Sequence, residues 1–143
     1  MLLVKKLDKR AKLPKVAHPN EDLGFDLMCL GEVIVPAKGF AGVNTGIAAQ
    51  YKDALGGPCG MKVEGRSSLA MEGIFTMAGV LDSGYSGQIV VFLGNMSEED
   101  KYFDVGDKIA QLVPHKELAD EVKEVKEFPL DGNRGTKGFG SSN

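Results

Sequence analysis

Residues 78–93 read AGVLDSGYSGQIVVFL, and the fold prediction starts from this stretch. A glycine-flanked turn leads into the apolar, β-branched run Gln88–Leu93. Glycine-rich turns beside short β-branched runs are typical of β-hairpins. The stretch therefore predicts a hairpin that carries Asp82 and Tyr85 on its tip. An ordinary hairpin with an Asx turn would show the same pattern.

Short β-rich runs between turn residues continue in both directions from this hairpin. Nineteen glycines and six prolines separate the runs, which suits the tight connections of a barrel or sandwich. Only residues 67–72 and 115–121 are compatible with a helix, and both are too short to be stable without tertiary support. The chain is therefore predicted to be all-β. The predicted strands are Leu2–Leu7, Glu32–Val35, Ala41–Ile47, Met61–Glu64, Ile74–Met77, Gln88–Leu93, Tyr102–Val105, Ile109–Val113 and Val122–Phe128.

Length and composition favour a single domain, because 143 residues with 43% hydrophobic content suffice for one packed core. The net charge of −3 and the scattered Lys and Arg residues provide no basic stripe for nucleic acid. The longest apolar run, Ile89–Leu93, is too short for a signal core or a membrane span, so we expect a soluble, cytoplasmic protein. Cys29 and Cys59 have no Cys or His nearby, which disfavours a disulfide or a metal site.

The composition changes near the C-terminus, where Gly, Ser, Asn and Lys dominate. We therefore expect a β domain over residues 1–130 and a flexible arm over residues 131–143. A disordered terminus is the plain interpretation of the arm. In the functional interpretation, the arm is a clamp: Arg134 and backbone N–H groups close on phosphates, and Phe139 stacks on a base.

Three further blocks concentrate polar residues beside apolar neighbours. Residues 65–70, GRSSLA, follow a predicted strand, and their guanidinium, hydroxyls and free backbone N–H groups suit phosphate oxygens. A capped helix with a surface arginine is an equally good interpretation of this block. Residues 23–28, LGFDLM, place Asp26 at the start of a predicted strand, where an aspartate is more often a turn or edge residue than a ligand. Residues 106–113, GDKIAQLV, place Gln111 among apolar neighbours, where its amide needs partners.

Taken in order over residues 23–142, the five blocks resemble the five motifs of the trimeric dUTPase family. Each motif is weak by itself, but the ordered set would rarely arise by accident. The resemblance implies a jelly-roll-like β-barrel that assembles as a homotrimer with shared active sites. It also implies that the substrate is dUTP, that Mg²⁺ is the cofactor, and that hydrolysis at the α-phosphorus gives dUMP and pyrophosphate.

The resemblance further implies a role for each matched residue. Asp82 would be the general base that activates the attacking water, and Tyr85 would pack under the deoxyribose. Asp26 would hold waters on a Mg²⁺ ion carried mainly by the substrate phosphates. The residues implied in reading the uracil edge are Gly79, Val80, Leu81 and Val90. The residues implied in holding phosphates or closing over the substrate are Arg66, Ser67, Ser68, Gln111, Arg134, Phe139 and Gly140.

Three positions, Ser68, Gly84 and Lys137, depart from the usual dUTPase pattern. The first two resemble the dCTP deaminases, a sister family with the same fold and trimer. Those deaminases carry a catalytic Glu in the strand after the hairpin, where this chain has Phe92 and no carboxylate. Deamination of dCTP is therefore a second hypothesis. A catalytically silent trimer with a binding or regulatory role is a third, against which the intact catalytic and phosphate-binding residues argue.

Overall fold

The computed structural model describes residues 1–116 and 122–126, which form a small β domain. Its one helix among these residues is the short α1, Ser67–Met71. Its strands are β1 Leu2–Lys6, β2 Phe25–Met28, β3 Val33–Val35, β4 Phe40–Asn44, β5 Ile47–Lys52, β6 Pro58–Glu64, β7 Ile74–Thr76, β8 Val80–Leu81, β9 Val90–Asn95, β10 Lys101–Phe103 and β11 Lys108–His115. The all-β prediction is confirmed.

The strands form three antiparallel sheets around one apolar core. The largest has the order β1-β5-β6-β11-β2, with β8 added to β6, and the others are β4-β9-β7 and β10-β3. Each sheet contributes inward side chains to a single buried cluster, as alternation along half-buried strands requires. Fully burying each such side chain contributes about 1.5–3 kcal/mol. Its largest fully buried apolar members include Leu27, Val43, Ile74, Leu93, Ile109 and Leu112.

The position of β11 brings three of the sequence blocks together. This strand lies between β6 and β2, and Gln111 is opposite Glu64 on one side and Asp26 on the other. Strand β6 continues through Gly65 into α1, so the GRSSLA block begins beside Gln111. Strand order therefore makes neighbours of residues that are far apart in the sequence.

One predicted strand is divided in the structure. The run Ala41–Ile47 was expected to be continuous, but β4 ends at Asn44 and β5 begins at Ile47. Gly46 adopts a φ of 70°, and a Cβ there would lie 2.9 Å from a methyl carbon of Leu30. The chain therefore turns at a left-handed residue where only glycine fits.

The predicted hairpin is also different from the expectation. Strand β8 pairs with β6, with Leu81 opposite Met61, whereas β9 pairs with β4 and β7. Gly79 permits this, because a Cβ on it would lie 2.6 Å from the carbonyl oxygen of Val63. The Val63 N–H donates to the Gly79 carbonyl over 2.8 Å. Residues 78–87 therefore leave the β7–β9 pair, and Gly79, Val80 and Leu81 attach the segment to β6 of the large sheet.

Predictions near the C-terminus are only partly covered by the described residues. Residues 122–126 form no strand, so this described part of the predicted strand Val122–Phe128 is wrong, and residues 127–128 lie outside the described residues. His115, where a helix was expected to begin, belongs to β11, and residues 117–121 are also outside. The same holds for the arm, residues 131–143. No described helix has the length and apolar character needed to cross a membrane.

Both cysteines are buried, as small side chains in the core. The Cys29 thiol donates to the Gly31 carbonyl over 2.6 Å. Burial raises the pKa of the Cys29 thiol, so it stays protonated and unreactive at neutral pH.

Candidate functional site

A polar cavity of about 600 Å³ opens where β6 passes into α1. We call it the polar cavity. Its lining includes five of the predicted site residues, which come from β2, the start of α1 with the residue before it, and β11: Asp26, Arg66, Ser67, Ser68 and Gln111. The antiparallel order β6-β11-β2 therefore assembles one site from three separate sequence blocks.

Asp26 lies between two cations at the floor of the polar cavity. Its Oδ2 is 2.6 Å from Lys108 Nζ, and its Oδ1 is 3.6 Å from Arg66 Nε. Arg66 is fixed in turn, because its Nη1 donates to the Lys108 carbonyl over 3.1 Å. The carboxylate side chain is only 16% exposed, so these partners offset the cost of burying its charge. We call these three residues the Arg66–Asp26–Lys108 cluster.

The sequence blocks did not single out Lys108, and a β-bulge explains how it reaches the cavity. The register between β11 and β2 shifts between Lys108 and Ala110. Ile109 and Ala110 are consecutive residues, yet both are fully buried. An extra residue in one strand re-aims the side chains that follow it, so Lys108 shares the cavity face with Gln111.

Gln111 connects the first two blocks of the site. Its Nε2 donates to the Gly65 carbonyl over 3.0 Å, which fixes the turn that carries Arg66. Gly24 makes room for the amide, because a Cβ there would lie 2.6 Å from Gln111 Oε1. The half-buried amide thereby has the partner that its apolar neighbours in sequence could not provide.

Ser67 and Ser68 begin α1, and both are exposed at the wall of the polar cavity. Arg66 precedes them in an extended conformation, with φ −100° and ψ 134°. The wall therefore combines two hydroxyl groups with the Arg66 guanidinium and the Lys108 ammonium. Hydroxyls and cations of this kind bind phosphate oxygens through charge-assisted hydrogen bonds.

Sequence reasoning also missed the loop at the mouth of the cavity. His18 and Asp22 both line the opening, and the His18 N–H donates to Asp22 Oδ2 over 2.8 Å. Asn20 has a φ of 70°, a conformation that asparagine tolerates better than most residues. In the sequence, the turn residues Pro19 and Asn20 are the signal that could have identified the loop.

The predicted general base lies in a different place. Asp82 lines a smaller cleft of about 160 Å³ beside the start of β6, together with His115 and Lys116. The Tyr85 N–H donates to the Asp82 carbonyl over 2.9 Å and closes the turn at the tip. Tyr85 Oη donates to the Gln88 carbonyl over 2.8 Å. We call this region the Asp82 cleft.

Strand register separates the Asp82 cleft from the polar cavity. Leu81 is opposite Met61, so Asp82 follows next to Gly60, whereas Gln111 is opposite Glu64. Four residues of extended chain span about 13 Å. A general base must lie within hydrogen-bond reach of the water that it activates, about 3 Å. Within one chain, the structure does not bring the predicted base to the predicted phosphate site.

The other predicted residues occupy several places. Val80 and Leu81 line the Asp82 cleft beside the tip, and Gly79 lies against β6. Val90 begins β9, opposite Asn44. Arg134, Phe139 and Gly140, and also Lys137, lie outside the described residues.

Comparison with known proteins identifies the family. The family model described as dUTPase matches residues 9–143 of this chain. The chain belongs to the dUTPase family. A deoxyuridine 5'-triphosphate nucleotidohydrolase of Paramecium bursaria Chlorella virus 1 is 37% identical over 142 residues, which cover 99% of this chain and 96% of that protein.

Solved dUTPase structures have the same fold. The dUTPase of Staphylococcus bacteriophage 80alpha with dUPNHPP is 25% identical, and the match has a TM-score of 0.89 over 100% of this chain and 98% of that chain. A mutant dUTPase from phage phi11 of S. aureus, whose structure concerns the coordination of a structural Mg(II) ion, matches at 21% identity with a TM-score of 0.78, covering 91% and 99% of the two chains. The jelly-roll-like β-barrel of the dUTPase type is therefore confirmed.

The residues that line the polar cavity can be tested for their fit to Mg²⁺. Within the described part of the chain, no group of three or more His, Cys, Asp and Glu residues is placed to hold a metal ion. Mg²⁺ commonly keeps several waters and is bound through one or two carboxylates together with substrate phosphates. Asp26 is one such carboxylate, beside a wall suited to phosphates. The donor set therefore fits an ion that arrives with a nucleotide.

Proposed function

We propose that this member of the dUTPase family hydrolyses dUTP at the α-phosphorus and releases dUMP and pyrophosphate. The observation that carries the proposal is the polar cavity, in which the matched residues of three dUTPase motifs meet. Arg66 and the hydroxyls of Ser67 and Ser68 bind the phosphates there, and Gln111 holds the turn that positions them.

The chemical step needs a water that attacks the α-phosphorus. Asp82 orients this water and accepts its proton at a carboxylate oxygen, as a general base does. Asp26 would hold Mg²⁺ through water, and the ion, when bound, would neutralise charge on the phosphates. The leaving pyrophosphate remains among the cationic residues of the polar cavity.

Selection of the nucleoside is assigned to the segment around Asp82. The backbone of Gly79–Leu81 and of Val90 reads the uracil edge, where a 5-methyl group would not fit. Tyr85 packs under the deoxyribose, where a 2′-hydroxyl would clash. Exposed main-chain donors and acceptors beside glycine are suited to this role, because a planar base can approach the bare backbone.

The separation of Asp82 from the polar cavity supports a homotrimer with shared sites. About 13 Å of strand lies between the two regions in one chain, which supports a site that takes its Asp82 from a second copy. The arm, residues 131–143, is proposed to close over the substrate through Arg134, Phe139 and Gly140.

An exposed apolar sheet face supports the same assembly. On the outer side of β4-β9-β7, Phe40 is 63% exposed, Phe92 43% and Phe75 41%. A Cβ on Gly94 would lie 2.5 Å from the Phe75 ring, so this ring occupies the space that a side chain at Gly94 would fill. Contiguous exposed aromatic side chains on a rigid sheet are typical of protein interfaces.

A product assay tests the proposed function. The protein is incubated with each deoxynucleoside triphosphate and with UTP in the presence of Mg²⁺, and pyrophosphate and ammonia are measured separately. We expect rapid pyrophosphate release from dUTP, little from dTTP or UTP, and no ammonia from dCTP. Ammonia from dCTP would instead support the deaminase hypothesis, which the absence of a carboxylate from Gln88–Leu93 opposes.

A further inference from the structure

The Arg66–Asp26–Lys108 cluster contains a residue with no assigned role. We propose that Lys108 is a positioning residue that occupies the Asp26 carboxylate until a nucleotide brings Mg²⁺ to it. Metal and nucleotide then bind together, and the free protein holds no metal ion at Asp26. This inference rests on the proposed function, because it concerns how Asp26 meets the Mg²⁺–nucleotide complex.

Both oxygens of Asp26 already have a cationic partner. Lys108 Nζ lies 2.6 Å from Oδ2, and Arg66 Nε lies 3.6 Å from Oδ1. The two cations differ in how they are held. Arg66 is tied to the Lys108 carbonyl, and its side chain is 29% exposed, whereas the Lys108 side chain is 46% exposed. A lysine has a flexible stem with a single charged end, so Lys108 is the partner that can leave.

The charge of the cluster disfavours a bare metal ion. Two cations and one carboxylate sum to +1, and a divalent cation near Asp26 would meet the Lys108 ammonium at roughly 5 Å, where repulsion is appreciable even in water. Glu21 and Asp22 also line the cavity and attract cations to its mouth, where Asp22 accepts a hydrogen bond from His18. The contact between Lys108 and Asp26 therefore decides whether a divalent cation binds at Asp26.

A bound triphosphate changes this balance. Its oxygens offer Lys108 new anionic partners, and the ammonium can move from Asp26 to the phosphates without losing an ion pair. Asp26 Oδ2 is then free to accept a hydrogen bond from a water on the metal. The exchange couples the two binding events, because each ligand removes an obstacle to the other.

Manganese binding to the full-length protein without nucleotide tests the proposal. Mn²⁺ serves as the probe, and the free ion is followed by electron paramagnetic resonance. The wild-type protein should bind Mn²⁺ weakly, and Lys108→Met should bind it at least about tenfold more tightly, because the repulsive charge is gone. Adding Asp26→Asn to Lys108→Met should abolish the gain, which would locate the new affinity at Asp26.

Matched variants separate this role from a merely structural one. Lys108→Arg keeps the charge, and Lys101→Met removes a lysine that pairs with Glu72 on another part of the surface. Both should bind Mn²⁺ like the wild type. Lys108→Gln provides a second neutral variant if Lys108→Met does not fold.

Two results would overturn the proposal. The first is a folded neutral variant that binds Mn²⁺ no more tightly than the wild type, and the second is tight Mn²⁺ binding at Asp26 in the wild type itself. Hydrolysis of dUTP by the wild type is measured in parallel. Its absence would refute the proposed function while leaving the nucleotide-free Mn²⁺ result interpretable.

Discussion

The polar cavity and the Asp82 cleft are built in opposite ways. The polar cavity is framed by strands β6, β11 and β2 and by fixed side chains, since Gln111 is bound to Gly65 and Arg66 to the Lys108 carbonyl. The Asp82 cleft is formed by a short segment in which only Val80 and Leu81 pair with β6, and Asp82 at the tip of this segment is exposed. The first region is preorganised by its own chain, and the second has open space around its carboxylate.

The difference is consistent with the proposed division of roles between the two regions. Phosphate binding needs several donors at fixed positions, and one sheet can supply them. The general base needs only one carboxylate, which another subunit can bring. We therefore expect substitutions in the two regions to have different effects. Substitutions in the polar cavity should weaken nucleotide binding, whereas substitutions in the Asp82 cleft should reduce the turnover of dUTP.

The largest effect should come from Asp82→Asn. The amide keeps the shape of the side chain but cannot accept the proton, so turnover of dUTP should fall by about 10²-fold or more. Binding of dUPNHPP, measured by calorimetry, should stay close to that of the parent. Retained turnover would reassign the base and remove the proposed division between the two regions.

Mixing two impaired proteins should produce the next largest effect, when activity is assayed at a dUTP concentration too low for Arg66→Gln to bind appreciably. Asp82→Asn and Arg66→Gln, refolded together in equal amounts, should regain activity if each site takes Asp82 and Arg66 from different chains. Random assembly makes the chance one half for each residue, so about a quarter of the sites should be complete. Each variant refolded alone is the control. Mixed trimers without recovered activity would place both residues of a site on one chain.

The sequence predicted individual strands well where the signal was local. Ile74–Met77 and Ile109–Val113 are apolar runs bounded by turn residues, and strands form at both places as β7 and β11. Pairing partners are not a local property. The glycine-rich segment, residues 78–87, was expected to form a hairpin with the strand that follows it. Instead, the hydrogen bond between Val63 and Gly79 attaches the segment to β6.

The same limit applies to the site. The motif resemblance named Asp26, Arg66 and Gln111, and strand order brings all three to the polar cavity. Lys108 could not be found in this way, because regular alternation from Gln111 would point it into the core. Only the β-bulge places it beside Asp26, and a bulge has no clear signature in this sequence.

A smaller effect is expected from Gly79→Ala, which tests how the Asp82 cleft is anchored. The new Cβ would lie 2.6 Å from the Val63 carbonyl oxygen, and this backbone atom cannot move without disturbing β6. We expect a loss of about 1–3 kcal/mol in the free energy of unfolding, measured by denaturant titration. Gly84→Ala is the matched control, because no atom lies within 4 Å of its added Cβ. Equal stability of the two variants would mean that the close approach does not anchor the segment.

The smallest effect should come from Gly24→Ala, the corresponding change in the polar cavity. Here the new Cβ would lie 2.6 Å from Gln111 Oε1, the end of a flexible side chain that can rotate away, and 3.1 Å from Gln111 Cβ, which must shift only by a few tenths of an ångström. Stability should therefore change less than in Gly79→Ala. The rotation would break the hydrogen bond to Gly65, worth about 0.5–1.5 kcal/mol, and loosen the turn that carries Arg66. We expect dUPNHPP affinity to fall severalfold while bound dUTP still turns over.

A double-mutant cycle with Gln111→Ala identifies the cause, because the losses of affinity from two changes that act through one amide should not be additive. Additive losses would show that Gly24 affects the cavity by a route independent of Gln111.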